Sequence, residues 1–226
     1  MGSNTLTSNT MRTNTTPSRT RIKICGITQL SDALLIAEQG ADSIGLVFHP
    51  QSPRFIGLDA ARKIREAMTP FVCITALFMD ETEEWVSEVI SAINPDCLQF
   101  HGEEPESECV RWNQPYIKSI SMGSAVDVEA YAQQYFSAQG FLFDSNAAGR
   151  QGGSGDTFDW SKIPVSFDRP LILAGGLNPV NVADAVSQVR PWGVDVSSGV
   201  EISKGLKDSN LVNQFFLEVN RGDANT

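Results

Sequence analysis

The chain has few of the residues that build metal sites or disulfide frameworks. Its 226 residues include only two histidines and four cysteines, and no two cysteines form a C-x-x-C pair. A zinc site is therefore not expected. Because a chain of this length can bury a large core without covalent cross-links, we interpret the cysteines as reduced thiols and expect a cytoplasmic protein.

Long apolar runs and an excess of positive charge are also lacking. No run reaches the roughly 18 to 20 apolar residues that a membrane span requires, and no apolar segment near the N-terminus has the form of a secretory signal. The formal net charge is −10, which argues against a nucleic acid or a membrane surface as partner. It does not exclude a small anionic ligand, since a pocket can be locally positive.

The first 20 residues differ in composition from the rest of the chain. They are rich in Ser, Thr and Asn and contain no acidic residue. Such a segment cannot bury enough surface to offset its ordering entropy, so we predict a disordered N-terminal tail over residues 1–20. Two readings stay open: an extension upstream of a second start at Met11, or an organelle-targeting peptide that uses Arg12 and Arg19.

From Arg21 onward, short β-rich runs alternate with amphipathic helical patterns. Strands are predicted at 21–27, 43–49, 72–79, 97–102, 116–122, 141–145, 170–176 and 193–200. Helices are predicted within 31–40, 58–68, 81–93, 105–113, 125–138, 178–189 and 208–220, and the sixth connection, 149–163, is mostly loop. This alternation predicts an α/β fold, a single-domain (β/α)₈ TIM barrel over residues 21–226. An open doubly wound sheet is the alternative, but no G-x-G-x-x-G follows the first strand.

Two helices carry recognisable boundary residues. Ser31 is predicted to cap the first helix at its N-terminus, and Gly40 to end it. Asn178-Pro179 reads as an N-cap followed by proline at the first helical position.

Polar residues occupy one phase of several strands. Because side chains alternate along a strand, one set faces the helices and the other fills the barrel interior. The predicted interior set is Lys23, Cys25, Gln99, His101, Leu142, Asp144, Asp195 and Ser197. Its polar members cluster at the C-terminal ends of the strands, where barrel active sites lie.

Two glycine-containing turns, "LAGGLNP" and "VSSGVE", follow strands 7 and 8. The loops after these strands often form a phosphate site in barrels, since glycines let backbone N–H groups approach the oxygens. We therefore predict phosphate binding by Gly175, Gly176, Ser198 and Gly199.

Proton transfer on a sugar phosphate needs an acid and a base that face the same substrate. Cys25 on strand 1 and Asp144 on strand 6 both end interior phases. Lys23 lies two residues before Cys25 on the same phase, so it should favour the thiolate. Burial could raise the pKa of Asp144 enough to keep it protonated. Arg54, after strand 2, could bind a carboxylate bidentately.

Several sequence motifs together resemble those of one known family. "KICGIT", "GLVFHPQSPRFI", "LQFHG", "LFDS" with "GGSGDTFDW", "LAGGLNP", and "GVDVSSGVE" with "KGLKD" resemble, in order, those of phosphoribosylanthranilate isomerases. The resemblance implies a cofactor-free TIM barrel of tryptophan biosynthesis. Such an enzyme converts N-(5-phosphoribosyl)anthranilate to 1-(2-carboxyphenylamino)-1-deoxyribulose 5-phosphate, an Amadori rearrangement.

The resemblance also implies roles for individual residues. It makes Cys25 the general base, Asp144 the general acid, and Arg54 the residue that recognises the anthranilate carboxylate. We expect His101 and Asp195 to line the same mouth and position the substrate. The glycine-rich segment 149–155 should close over the ligand. The expected partner is this small molecule, and the chain could act as a monomer or a homodimer.

Two other kinds of function remain as alternatives. One is another sugar-phosphate barrel enzyme. A pentose-phosphate epimerase would require metal-binding histidines, and an indole-glycerol-phosphate synthase would require more catalytic lysines and glutamates. The other is a non-catalytic phosphate-binding regulator, although both Cys25 and Asp144 are present.

Overall fold

A computed structural model describes residues 19–122, 127–145, 159–164 and 166–225. The predicted tail, apart from its last two residues, and the predicted closing segment 149–155 lie outside these ranges. Arg19 donates hydrogen bonds to both carboxylate oxygens of Asp42, at 2.8 and 2.6 Å. The Thr20 N–H and hydroxyl both donate to the carboxylate of Asp223. The end of the predicted tail is thus attached to the folded domain.

Eight parallel strands close into a barrel in chain order. They are β1 Arg21–Cys25, β2 Ser43–Val47, β3 Cys73–Phe78, β4 Cys97–Phe100, β5 Tyr116–Ser121, β6 Gly140–Asp144, β7 Leu171–Leu173 and β8 Gly193–Val196. Strand β1 pairs with β2 on one side and with β8 on the other, which closes the sheet. The predicted TIM barrel is confirmed.

Seven α-helices follow in the described ranges. They are α1 Leu30–Glu38, α2 Leu58–Ala67, α3 Glu83–Ile93, α4 Glu106–Val110, α5 Val128–Gln134, α6 Val182–Val189 and α7 Ser209–Ala224. In the described part of the sixth connection the chain forms only a 3-10 helix, Trp160–Lys162. A short hairpin of β9 Glu201–Ser203 and β10 Leu206–Lys207 lies between β8 and α7. None of the helices described is long and apolar enough to cross a bilayer.

The helix boundaries correct two of the predicted caps. Helix α1 begins at Leu30 with Gln29 as N-cap, so Ser31 lies inside the helix, whereas Gly40 with φ +89° does follow its end. Asn178 forms a separate turn: its Oδ1 accepts from Val180 N, and α6 starts only after Asn181. A cap contributes about 1 kcal/mol, so packing and local turns can move it by several residues.

Side chains on the two faces of the barrel sheet separate as the alternation predicts. The helix-facing set is apolar and lies in the main core; it comprises Ile22, Ile24, Leu98, Phe100, Phe141, Phe143, Val194 and Val196. Full burial of such a side chain stabilises the fold by about 1.5–3 kcal/mol. The interior holds smaller apolar clusters, one of which joins Cys25 to Val47 and Leu77. Because all eight strands are parallel, the polar side chains at the C-terminal ends of the interior-facing sets lie at one mouth of the barrel.

Candidate active site

A cleft of about 850 Å³, partly open to solvent, lies at the C-terminal ends of the strands. Eight of the nine predicted site residues line it: Cys25, Arg54, His101, Asp144, Gly175, Gly176, Asp195 and Ser198. Gly199 does not line it; its backbone packs against the carbonyl of Leu177, where a side chain would have no room. Residues that are far apart in the sequence therefore meet in one site.

Cys25 ends β1 and is 6% exposed. The turn after it needs glycine, because Gly26 has φ +76° and the Arg54 side chain lies where a Cβ would project. Burial raises the pKa of the Cys25 thiol; Lys23 opposes that shift, Asp195 adds to it, and Lys207 opposes it. Lys23 thus favours the thiolate as predicted, but burial outweighs it, so a thiolate formed here is more basic than usual.

Asp195 is engaged by a buried cation. The Lys23 Nζ lies 2.9 Å from Asp195 Oδ1, and both side chains are about 90% or more buried. Burial works against the charge, yet Asp195 and the neighbouring Cys25 hold the pKa of Lys23 above its ordinary value. Asp195 therefore lines the cleft, as predicted, with its carboxylate already in an ion pair below Cys25.

The imidazole of His101 connects Asp144 to β4 and β5. Its Nδ1 lies 2.8 Å from Ser119 Oγ and 3.2 Å from Gln99 Nε2. These contacts hold the Nδ1 side of the ring against β4 and β5. Nε2 lies 3.5 Å from Asp144 Oδ2. His101 is thus held in the orientation that directs a ring nitrogen toward Asp144.

The guanidinium of Arg54 is held from one side by Glu201. Arg54 Nε donates to Glu201 Oε1 at 2.8 Å and Nη2 to Oε2 at 2.7 Å. Lys207 Nζ donates to the same carboxylate at 2.9 Å. Although burial favours the neutral acid, the hydrogen bond from Arg54 and the charge of Lys207 hold the pKa of Glu201 below its ordinary value.

The residue pattern alone did not predict a role for Glu201 or Lys207. Both lie in segments that carried the family resemblance, "GVE" and "KGLKD", so a signal was present. The pair of His49 and Glu81, whose Nδ1 and Oε1 are 2.6 Å apart beside the cleft, was not predicted either. Each of these titratable residues follows soon after one of two neighbouring strands, and this pattern could have identified the pair.

The turn after β7, which also lines the cleft, has two residues in the left-handed region. Gly175 has φ +81° and Gly176 has φ +66°. A Cβ on Gly175 would collide with Ser145. Ser198 begins a 3-10 helix, Ser198–Val200, directly after β8. The glycine turn and this hydroxyl thus line the cleft side by side.

Known proteins share the sequence and fold of the chain. The family model described as N-(5′-phosphoribosyl)anthranilate isomerase matches residues 22–218. A relative of that name from Stenotrophomonas maltophilia is 49% identical over 208 residues, 91% of this chain and 95% of the relative.

Two solved structures agree with this match. Phosphoribosyl anthranilate isomerase from Thermotoga maritima is 40% identical with a TM-score of 0.81, over 89% of this chain and 98% of that one. A phosphoribosyl anthranilate isomerase in complex with reduced 1-(o-carboxyphenylamino)-1-deoxyribulose 5-phosphate is 40% identical with a TM-score of 0.78, over the same shares. The chain therefore belongs to the N-(5′-phosphoribosyl)anthranilate isomerase family.

Proposed function

We propose that this chain converts N-(5-phosphoribosyl)anthranilate to 1-(2-carboxyphenylamino)-1-deoxyribulose 5-phosphate in tryptophan biosynthesis, with Cys25 and Asp144 as base and acid. The observation that carries the proposal is that these two side chains line one cleft in a chain of this family. The relative that binds a reduced product analogue supports the substrate class.

The acid acts first. Asp144, as the protonated carboxyl, donates its proton to the furanose ring oxygen. The bond from that oxygen to C1 breaks, and the anilino nitrogen lone pair forms the C1=N bond of a Schiff base. His101 Nε2 faces the carboxylate that remains, and a proton on that nitrogen would favour the carboxylate. His101 is therefore a positioning residue for the acid.

The base acts on the opened chain. Cys25, as the thiolate, removes the proton from C2, and the C2–H electrons form a C1=C2 bond while the C=N electrons return to nitrogen. The enolamine then gains a proton at C1 and loses one from the C2 hydroxyl, which gives the ketose. Because burial raises the pKa of Cys25, its thiolate is the stronger base toward a carbon-bound proton. No group outside the chain and the substrate enters these steps.

Two groups of residues in the cleft would bind the anionic groups of the substrate. Arg54, fixed by Glu201, offers a guanidinium for the anthranilate carboxylate. The Gly175-Gly176 turn and the Ser198 hydroxyl, which line the same cleft, would receive the phosphate. The proposed partner is therefore a small molecule with two anionic groups. We further propose that the enzyme works in the cytoplasm, in line with four unpaired cysteines.

The direct test is turnover of phosphoribosylanthranilate, followed as loss of its fluorescence. Wild type should turn over, whereas Cys25→Ala and Asp144→Asn should each lose at least about 10²-fold in kcat. Cys97→Ala is the matched control, since Cys97 lies at the start of β4, away from the cleft, with its thiol donating to the Leu98 carbonyl. Wild-type inactivity, or full activity of either site variant, would refute the proposal.

A further inference from the structure

The ammonium of Lys207 is a buried group that the steps above do not use. Its side chain is 0% exposed. Nζ donates to the Cys25 carbonyl at 2.7 Å, to the Ser197 carbonyl at 3.1 Å and to Glu201 Oε1 at 2.9 Å. An ammonium has three N–H donors, so these three acceptors satisfy it.

The three acceptors belong to three different parts of the site. Cys25 is the residue that carries the base at the end of β1. Ser197 precedes Ser198, on the loop after β8. Glu201 holds Arg54 from the loop after β2. One buried cation therefore joins the residue that carries the base, the loop that contains Ser198, and the glutamate that holds the carboxylate-binding arginine.

Glu201 completes this arrangement. It accepts two hydrogen bonds from Arg54, one from Lys207, and a longer one from the Gly205 N–H at 3.2 Å. Its side chain is 5% exposed. A carboxylate so enclosed and so fully hydrogen-bonded fixes the plane of the guanidinium that it holds.

We propose that Lys207 and Glu201 are positioning residues of the isomerase, Lys207 by fixing the backbone of Cys25 and placing a positive charge beside its thiol, and Glu201 by fixing Arg54 for the substrate carboxylate. This inference deepens the function proposed above and rests on it. Neither residue touches the reacting atoms, so each acts through another side chain.

Several charges face the Cys25 thiol, from all the elements packed around it. Lys23 is on the same strand, Asp195 on β8, Lys207 on β10, and Arg54 on the loop after β2. Lys23 is largely neutralised by Asp195, and Lys207 and Arg54 share Glu201. Without Lys207, the thiol therefore has one cation fewer near it. The negative charge of Glu201 is then balanced by Arg54 alone.

The first experiment measures the Cys25 thiol without substrate. The rate of iodoacetamide alkylation of the Cys25 peptide is followed against pH by mass spectrometry, because only the thiolate reacts. In Lys207→Met the midpoint should move upward by about 0.5 or more. Lys207→Arg keeps the charge and should remain near wild type. Lys118→Met is the matched control: Lys118 is equally buried and pairs with Glu104 at 2.7 Å, but does not face Cys25.

The second experiment measures turnover by Glu201→Gln. A glutamine cannot accept both Arg54 hydrogen bonds and that of Lys207, so KM should rise about 10-fold or more, with a smaller fall in kcat. A merely structural role would lower the folded fraction, measured by circular dichroism, and leave KM of the folded enzyme unchanged.

The outcomes separate the two proposals. If Lys207→Met folds and the pH midpoint of its Cys25 alkylation equals that of wild type, the inference for Lys207 is overturned. If Lys207→Met does not fold, the inference is overturned when the pH midpoint in Lys207→Arg differs from that of wild type. An unchanged KM in Glu201→Gln overturns the inference for Glu201. If wild type alkylates as expected but does not turn over phosphoribosylanthranilate, the proposed function fails, while the coupling of Lys207 to Cys25 stands on the alkylation result.

Discussion

The buried ion pair beneath the base offers a stability test with a large expected effect. Lys23 and Asp195 are 6% and 8% exposed, and their charged atoms are 2.9 Å apart. At an effective dielectric constant of about 20 their attraction is about 6 kcal/mol, much of which offsets the loss of hydration. Lys23→Met leaves a buried carboxylate without its cation, and breaking such a pair costs about 3–5 kcal/mol. For a domain of this size that lowers Tm by roughly 10 °C.

The assay is urea unfolding at pH 7, followed by tryptophan fluorescence and repeated by circular dichroism. The double variant Lys23→Met/Asp195→Asn removes both charges and should recover a large part of the lost free energy of unfolding, which a double-mutant cycle measures. If the free energy of unfolding of Lys23→Met lies within about 1 kcal/mol of that of wild type, the pair does not supply the expected stabilisation.

Three further tests concern pH and backbone strain. Because burial raises the pKa of the Cys25 thiol, kcat/KM should rise with pH through a midpoint above the ordinary pKa of a thiol, and a midpoint below that ordinary pKa would contradict the assignment. The pKa of Glu201 is lowered in the folded state, so the ionised carboxylate stabilises the fold fully above about pH 4.3, and this contribution is lost as pH falls through the folded-state pKa. The free energy of unfolding of Glu201→Gln should therefore depend less on pH in this acid range than that of wild type. Parallel curves of unfolding free energy against pH for the two proteins would contradict this expectation. Gly175→Ala should lower the free energy of unfolding by about 1–2 kcal/mol or more and raise KM, because φ is +81° and Ser145 leaves no room for a side chain. Gly57→Ala, at φ −78° with no atom near its Cβ, should leave KM unchanged in the turnover assay and lose in urea unfolding only the glycine N-cap of α2, about 0.5–1 kcal/mol.

The fold could be predicted from local pattern because each strand and helix carries its own periodicity. Eight β-rich runs separated by amphipathic patterns leave a closed parallel barrel as the simplest way to bury them. The predicted alternation of Ile24 with Cys25, and of Phe143 with Asp144, follows from the strand period of two and holds in the structure. Ser31 and Asn178 failed as caps because a cap is a weak local preference that packing overrides.

Local pattern was enough to predict the barrel, which side chains face its interior, and a cysteine and an aspartate at the ends of strands that share one mouth. The pairing of charges at that mouth could be seen in the folded chain alone: Arg54 pairs with Glu201, 147 positions away, and Lys207 donates to the Cys25 carbonyl, 182 positions away. The folded chain likewise shows that burial outweighs Lys23 in setting the pKa of the thiol. The physical reason is that periodicity is a property of neighbouring residues, whereas pairing and desolvation depend on which distant groups the closed barrel brings together.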